Sequence, residues 1–357
     1  MKQILTLLVL GLFVVSVVPV AFAINVGSGI TPDIITEDFE PKVWMCGDRV
    51  VLDDATEPGR ISNDSEDLTE RTNNYAFEGE QIGWEVLVMD KNGIEKIVDV
   101  FGTIGSTQGA GNDIEVNCDF VDVAYTVDSD CNAHILEEDL TGADLAEVAG
   151  YYSCTLTVET PDSMYGEYWL TVEAEDIDGL TGTMAENEYW FLNPVIALSI
   201  DGDLTFDDVR PGTLSYSETL LVGNDADDGS GVLLDMFISG TDFYDSSSSG
   251  AMCPTSNTLE LDNFAYFVTN GGYSSITDSR GSDVEGYLPI AYGIGFNDPN
   301  PFYGTNELLQ EAFDGTYWQA NTLTPGAEAA VTFRLALPEP CNGDFDTGSI
   351  FFWGEAI

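Results

Sequence analysis

The chain has 357 residues, of which 63 are acidic and 10 basic, giving a formal net charge of −53, and 44% of its residues are hydrophobic. That length allows two or three domains, and the apolar share supplies packed cores, which excludes a disordered acidic tail. So negative a surface repels phosphate backbones and anionic headgroups, which excludes nucleic acid as a partner. No Lys or Arg falls between Lys96 and Arg210, and none between Arg210 and Arg280. The acidity has three readings: adaptation to high salt, divalent-cation sites, or a solubilising coat.

Residues 1–23 read as a signal peptide. Lys2 is a short positive start, residues 4–18 are apolar, and Pro19-Val20-Ala21-Phe22-Ala23 carries the small-x-small cleavage pattern. Cleavage after Ala23 is expected to leave a secreted chain beginning at Ile24, with no transmembrane segment of its own. Six cysteines follow, at 46, 118, 131, 154, 253 and 341. An even number in an exported chain predicts disulfides, and the absence of Cys-x-x-Cys argues against zinc. Cys253 and Cys341 stand alone in the second half and are the expected pair there. Among the other four, Cys118–Cys131 and Cys46–Cys154 are favoured, with the remaining pairings open.

In chain order, residues 24–40 read as irregular, 43–52 as an edge strand and 53–74 as a loop holding the N-glycosylation sequon at Asn63. Period-2 alternation then begins: Ile82, Trp84, Val86 and Val88 share one face. After a turn at Asp90-Lys91-Asn92-Gly93 the strand returns. Residues 114–118 and 131–136 are expected to flank an acidic loop. Tyr152, Cys154, Leu156 and Val158 alternate, as do Tyr168, Leu170, Val172 and Ala174, with a turn at Asp176-Ile177-Asp178-Gly179. Short alternating strands between turn signals predict a β-sandwich.

The stretches Gly79-Glu80-Gln81-Ile82, Val88 to Ile94 and Tyr165 to Gly179 resemble the strands and Asp-Gly turns of prokaryotic immunoglobulin-like surface modules. The resemblance covers residues 79–192 and implies a fold more than a function. The uncharged run 189–200, interrupted by Asn193-Pro194, reads as a last strand, a stiff joint that keeps Asn193 extended, and a first strand. The domains are therefore expected at 24–193 and 194–357. In the second, Pro211-Gly212 and Pro325-Gly326 each precede an alternating strand. This pattern resembles secreted sandwiches of archaeal and bacterial surface-layer and biofilm-matrix proteins. Strands are also expected at 232–239, 264–268 and 349–353. Residues 240–322 read as a loop-rich insertion, with a flexible loop at 246–250 and a short helix over 305–313 capped by Thr305.

Motif chemistry is sparse. His134 is the single histidine, and neither Gly-x-Ser-x-Gly nor His-Glu-x-x-His occurs, so no enzyme is expected. Calcium is the site chemistry that Asp-rich turns can supply. The candidate ligands are Asp201 and Asp203, then Asp225, Asp227 and Asp228, then Glu175, Asp176 and Asp178; none completes an EF-hand, and the same residues also suit plain turn geometry. Tyr273, Tyr287, Tyr292, Phe302, Tyr303, Tyr317 and Trp318 crowd the insertion, where they either fill the core or stack on sugars. Together these features predict an all-β protein of two tandem immunoglobulin-like sandwiches, exported to a prokaryotic and, by resemblance, archaeal cell surface. Its expected role is structural or adhesive, through cell-envelope components or self-association of strand edges. The alternative is an extracellular glycan- or ligand-binding module.

Overall fold

The computed structural model describes residues 33–53, 69–71, 73–131, 144–184, 188–293, 307–315 and 317–357. The signal-like segment, Asn63, His134, Phe302 and Tyr303 lie outside the described residues. The fold is all-β. In the first region the strands are β1 (Lys42–Asp53), β2 (Thr69–Arg71), β3 (Tyr75–Ala76), β4 (Glu80–Met89), β5 (Ile97–Gly105), β6 (Ile114–Val123), β7 (Ala149–Thr157), β8 (Gly166–Asp176), β9 (Thr181–Thr183) and β10 (Glu188–Leu192). One layer runs β2-β1-β4-β7-β6 and the other β5-β8-β10-β3, with β9 also on β8. β6 joins them: residues 114–117 pair with β5, and residues 118–123 pair with β7. The turn after β4 therefore does not close a hairpin; it carries the chain to the opposite layer, where β5 lies beside β8.

Alternation decides which side chains meet, because successive residues of a strand point to opposite faces. Ile82, Trp84, Val86 and Val88 of β4 enter the core with Leu170, Val172 and Ala174 of β8 and Trp190 of β10. Fully burying each aliphatic side chain contributes about 1.5–3 kcal/mol. The other face of β1 and β4 is covered too. Trp44, Cys46, Leu87 and Met89 pack with Ala124, Leu145 and Ala149 in a second, smaller core. The expected edge segment is thus a strand buried on both faces, paired with β4 over its length and with β2 at Val51 and Leu52.

This parity corrects the favoured cysteine pairing. The structure joins Cys46 to Cys131 and Cys118 to Cys154. Val43 and Met45 of β1 face the main core, which leaves Cys46 on the outer face. Cys154 faces inward, so Cys46 and Cys154 cannot meet. Cys118 lies directly opposite Cys154 on the neighbouring strand. β6 continues beyond Cys118 to Val123, and the following loop folds over the outer face and brings Cys131 to Cys46.

Asn193 also departs from expectation. It sits at φ 52, in the left-handed region, rather than extended. Its side chain holds it there: Nδ2 donates to the carbonyls of Glu159 and Met164, and Oδ1 accepts from the Glu78 N–H at 2.7 Å. The joint is stiff because Asn193 is fastened on three sides.

The second region contains β11 (Leu198–Asp201), β12 (Leu214–Asn224), β13 (Leu234–Gly240), β14 (Phe243–Tyr244), β15 (Thr258–Leu259), β16 (Phe264–Asn270), β17 (Tyr273–Ser274), β18 (Leu288–Pro289), β19 (Thr322–Leu323), β20 (Glu328–Ala336) and β21 (Ile350–Ala356). A sheet β11-β12-β20-β16-β17, with β18 on β16, faces a sheet β19-β13-β21, and β14 pairs with β15. Their core holds Leu220, Val222, Met236, Ile238, Tyr266, Val331 and Phe333. The two Pro-Gly turns are mutual devices. Gly212 and Gly326 have φ of 74 and 75, as the third residue of a type II turn requires. The Gly212 N–H donates to the Leu337 carbonyl, while the Gly326 N–H donates to the Asn224 carbonyl. Each turn closes the far end of the strand that follows the other.

Within 240–322, β16 is a full strand of the main sheet beside β20. The loop at 246–250 is ordered around Asp245, whose carboxylate accepts from the Ser247 N–H and hydroxyl, the Ser249 hydroxyl and the N–H groups of Gly250 and Ala251. The Ser247 hydroxyl leads these donors in holding its carboxyl well below the usual range. The described part of the expected helix, 307–313, is not helical. Its N–H groups are taken by neighbours instead: Leu308 donates to the Met236 carbonyl, Leu309 to Asn321 Oδ1 and Gln310 to Asp278 Oδ2. Arg280 clamps this segment, binding Asp278 through Nε and Nη2 and reaching the carbonyls of Glu307 and Leu308.

Residues 39–357 form one compact unit. Tyr75, from β3, is fully buried in the second region's core, and its hydroxyl donates to the Ile357 carbonyl at 2.6 Å. Across the joint, Asp227 Oδ2 accepts from the Val195 N–H and the Tyr165 hydroxyl, and Tyr189 donates to the Gly229 carbonyl.

Candidate functional site

The strands of the second region leave a cavity of about 510 Å³ at one end. Its floor is apolar: Phe243, Leu259 and Phe264 from β14–β16, and Leu335 and Leu337 at the end of β20. One wall is the connection between β11 and β12, which presents Leu204, Phe206 and Val209. The Pro211-Gly212 turn, bonded to Leu337, fixes the end of that wall. The rings are in contact, with Phe206 edge-on to Phe264 at 5.9 Å and Phe243 at 4.7 Å from Phe264. The opposite wall is residues 341–346. Cys341 ties it to Cys253, and the Met252 and Asn342 backbones exchange two hydrogen bonds. Gly343, at φ 102, lies so close to Ala251 that a Cβ would come within 2.5 Å of its Cα, so only glycine fits.

Three carboxylates share this lining. Asp346 accepts from the Ser246 N–H and hydroxyl, and the backbone bond leads in holding its carboxyl below the usual range. Asp208 and Asp344 are exposed and have no hydrogen-bond or ion-pair partner among the described residues. Asp208 is in the left-handed region at φ 52. No lining residue is basic. A volume of this size falls in the range of small-molecule sites. A cavity lined by apolar side chains and carboxylates can bind; its lining holds no nucleophile–base pair. A second concavity, about 490 Å³, lies in the loop between β5 and β6 around Ser106, Thr107, Gly111 and Asn112. Asn112 Nδ2 donates to the Thr107 and Gly109 carbonyls and so belongs to the loop's own framework.

The candidate calcium ligands do not converge. Asp176 is buried, and its Oδ1 accepts from the N–H groups of Asp178 and Leu180. Asp178 pairs with Lys96 at 3.5 Å, and Glu175 lies on β8. Asp227 holds the joint, Asp225 and Asp228 sit on the exposed turn beside it, Asp201 ends β11 and Asp203 follows it. Among the described residues no group of three or more His, Cys, Asp or Glu is placed to hold a metal ion.

Among the described residues, the aromatics picked out by sequence are not the ones lining the cavity. Tyr287 packs under Arg334, 4.6 Å from its guanidinium, and beside Phe267 and Tyr216. Arg334 also pairs with Asp283 and Glu285, so this cluster fastens a loop to the sheet. Trp318 packs on Phe313 at 4.9 Å, Tyr273 ends a hairpin, and Tyr292 is exposed. The lining residues Leu204, Phe206 and Phe345 are large apolar residues outside strand alternation, each beside an aspartate, and belong to no motif.

No protein-family model and no curated protein matches the chain. Among solved structures, the chain is similar to the C-terminal domain of the AgI/II polypeptide BspA of Streptococcus agalactiae at 10% identity, covering 89% of this chain and 97% of that one, with a TM-score of 0.28. It is similar to the C-terminal domain of the Streptococcus pyogenes antigen I/II-family protein AspA at 8% identity, with 90% and 97% covered and a TM-score of 0.27. A chain of a chaperone–tip adhesin complex of CFA/I fimbriae matches at 9% identity, with 89% and 84% covered and a TM-score of 0.24. Likeness at this level carries no statement about what this chain does.

Proposed function

We propose that the chain is an extracellular, non-catalytic surface protein with an adhesive role, and that it engages its partner through the cavity between residues 204–209 and 341–346. The observation that carries this reading is the cavity itself: a space of about 510 Å³ lined by leucine and phenylalanine side chains together with Asp208, Asp344 and Asp346. Three disulfides support an oxidising location, where such bonds persist. The net charge of −53 supports solubility outside the cell and selection against anionic partners. Among the described residues no helix is long and apolar enough to cross a membrane.

The test is retention. Purified secreted protein is added to the cells that produce it, and the bound fraction is compared with that of Phe206→Arg, which fills the cavity with a long cationic side chain. A drop of at least tenfold is expected. Equal retention of the two proteins, or recovery of native protein only with cytoplasmic markers, defeats the reading.

A further inference from the structure

We propose that this cavity takes an organic cation with an apolar body, a primary ammonium or guanidinium on an aliphatic or aromatic frame. The inference rests on the cavity being the binding site and adds the ligand's charge and shape.

Asp208, Asp344 and Asp346 supply the charged part of the lining. An ionised carboxylate only accepts hydrogen bonds, whereas ammonium and guanidinium groups only donate them. Sugar hydroxyls need donors as well as acceptors, and among the lining side chains only Asn342 supplies an N–H. The three carboxylates are unequally committed. Ser246 holds Asp346 in place as a fixed charge, while Asp208 and Asp344 have no partner among the described residues. Arg210, the nearest cation along the chain, is not part of the lining. Low-dielectric walls focus the field of a charged cleft. Among the lining rings, Phe206 and Phe243 are half-buried, and such rings can attract a cation and bury its hydrocarbon. A neutral ligand gains only the second of these, and an anion meets repulsion at the entrance.

The experiment is calorimetric titration of the full oxidised protein with three probes of one shape: phenethylammonium, 2-phenylethanol and 3-phenylpropanoate. The ammonium should bind at least tenfold more tightly than the alcohol, and that advantage should shrink between about 50 mM and 500 mM sodium chloride as the charges are screened. The propanoate should not bind. In the double variant Asp208→Asn, Asp344→Asn the ammonium should fall to the level of the alcohol, with the alcohol unchanged. Both replaced residues are exposed, so the fold is not at risk. Phe206→Ala should weaken ammonium and alcohol alike. A blocked Leu-Lys-Phe tripeptide identifies the source: tighter binding than phenethylammonium marks a polypeptide side chain, and weaker binding marks a free amine. If the alcohol matches the ammonium, or the double variant keeps the preference, the cation inference is overturned while the cavity stands as a binding site. If no probe binds at millimolar concentration, both fail.

Discussion

The two cores of residues 39–357 treat their loops in opposite ways. In the first, the loop after β6 is drawn across the outer face of its sheet and sealed by Cys46–Cys131, so that β1 and β4 are covered on both sides. In the second, the segment held by Cys253–Cys341 stands beside the end of the core and leaves a cavity of about 510 Å³. The same covalent device closes one region and props the other open. The difference lies in which way the tied side chains point. Cys46 faces outward from a central strand, whereas Cys341 lies at the cavity wall after β20 has ended. Function is then expected where packing was left unfinished, and stability where it was completed.

The sharpest way to break that contrast is in the closed core. Trp84 is 3% exposed, and its ring comes so close to Gly102 that a Cβ there would lie 3.2 Å from Cζ2. Trp84→Ala should cost about 3–5 kcal/mol in chemical denaturation of the oxidised protein. A loss under about 1 kcal/mol would show that the first core is as loose as the cavity end.

Each region is also fastened by a buried asparagine at or next to a strand end. Asn193 makes three side-chain hydrogen bonds at φ 52, and Asn224 makes three, to Val232, Leu323 and Ala226, without a left-handed backbone. Asn193→Ala should cost about 3 kcal/mol and Asn224→Ala about 2 kcal/mol, the excess being backbone strain. Replacing each by glycine separates the terms. Glycine at 193 should recover about 1 kcal/mol relative to alanine, and glycine at 224 none. Equal behaviour of the two glycine variants would remove strain from the account.

Most of the first region is legible in the sequence, because period-2 alternation survives wherever one strand face meets one core. Ile82, Trp84, Val86 and Val88 enter the core together, as their spacing says. Alternation also contains the correct cysteine parity, but proximity along the chain points to Cys118–Cys131, and the continuation of β6 to Val123 is hidden because its residues are mostly exposed and its register shifts between Phe120 and Asp122. The extended expectation for Asn193 fails because its three partners, distant in sequence, override the ordinary preference of a residue before proline. The cavity is illegible for a related reason. Leu204, Phe264 and Phe345 come from distant parts of the chain and meet only through strand pairing, and none belongs to a motif. The Asp-rich turns draw attention to metal chemistry, while Asp176 and Asp227 spend oxygens on backbone N–H groups.

Acidity reaches the second core as well as its surface. Burial pushes the Asp235 carboxyl up to about 6, with Glu307 and Glu355 adding to the rise and the Asn321 hydrogen bond opposing it. A folded carboxyl above its ordinary value takes up its proton earlier than the unfolded chain does. Its penalty is therefore full above about pH 6, relieved as pH falls through that value, and gone below about pH 4. Melting temperature should rise on acidification from about pH 7.5 to about pH 5, by an amount corresponding to about 1.4 kcal/mol. Asp346, held below its ordinary range by Ser246, and Asp278, held there against its burial by Arg280, lose their contribution only at lower pH. Asp235→Asn should stabilise the protein at about pH 7.5 and flatten the slope. An unchanged slope would assign the pH response to the surface charge of −53.

The smallest expected effect is the one that tests whether the cavity is built for binding. Phe206 is half-buried on a wall that closes nothing, in contact with Phe264 on one side and open space on the other. Truncating an enclosed aromatic removes its transfer energy and leaves a new void. Here the void already exists, so Phe206→Ala loses part of the transfer term and almost no cavity term. Its cost should stay under about 1 kcal/mol, against the several expected at Trp84. A small loss would fit a ring that serves the cavity rather than the core. A cost approaching that of Trp84→Ala, measured in the same denaturant series, would mean that Phe206 seals the core in solution and that residues 204–209 close over the space rather than line it.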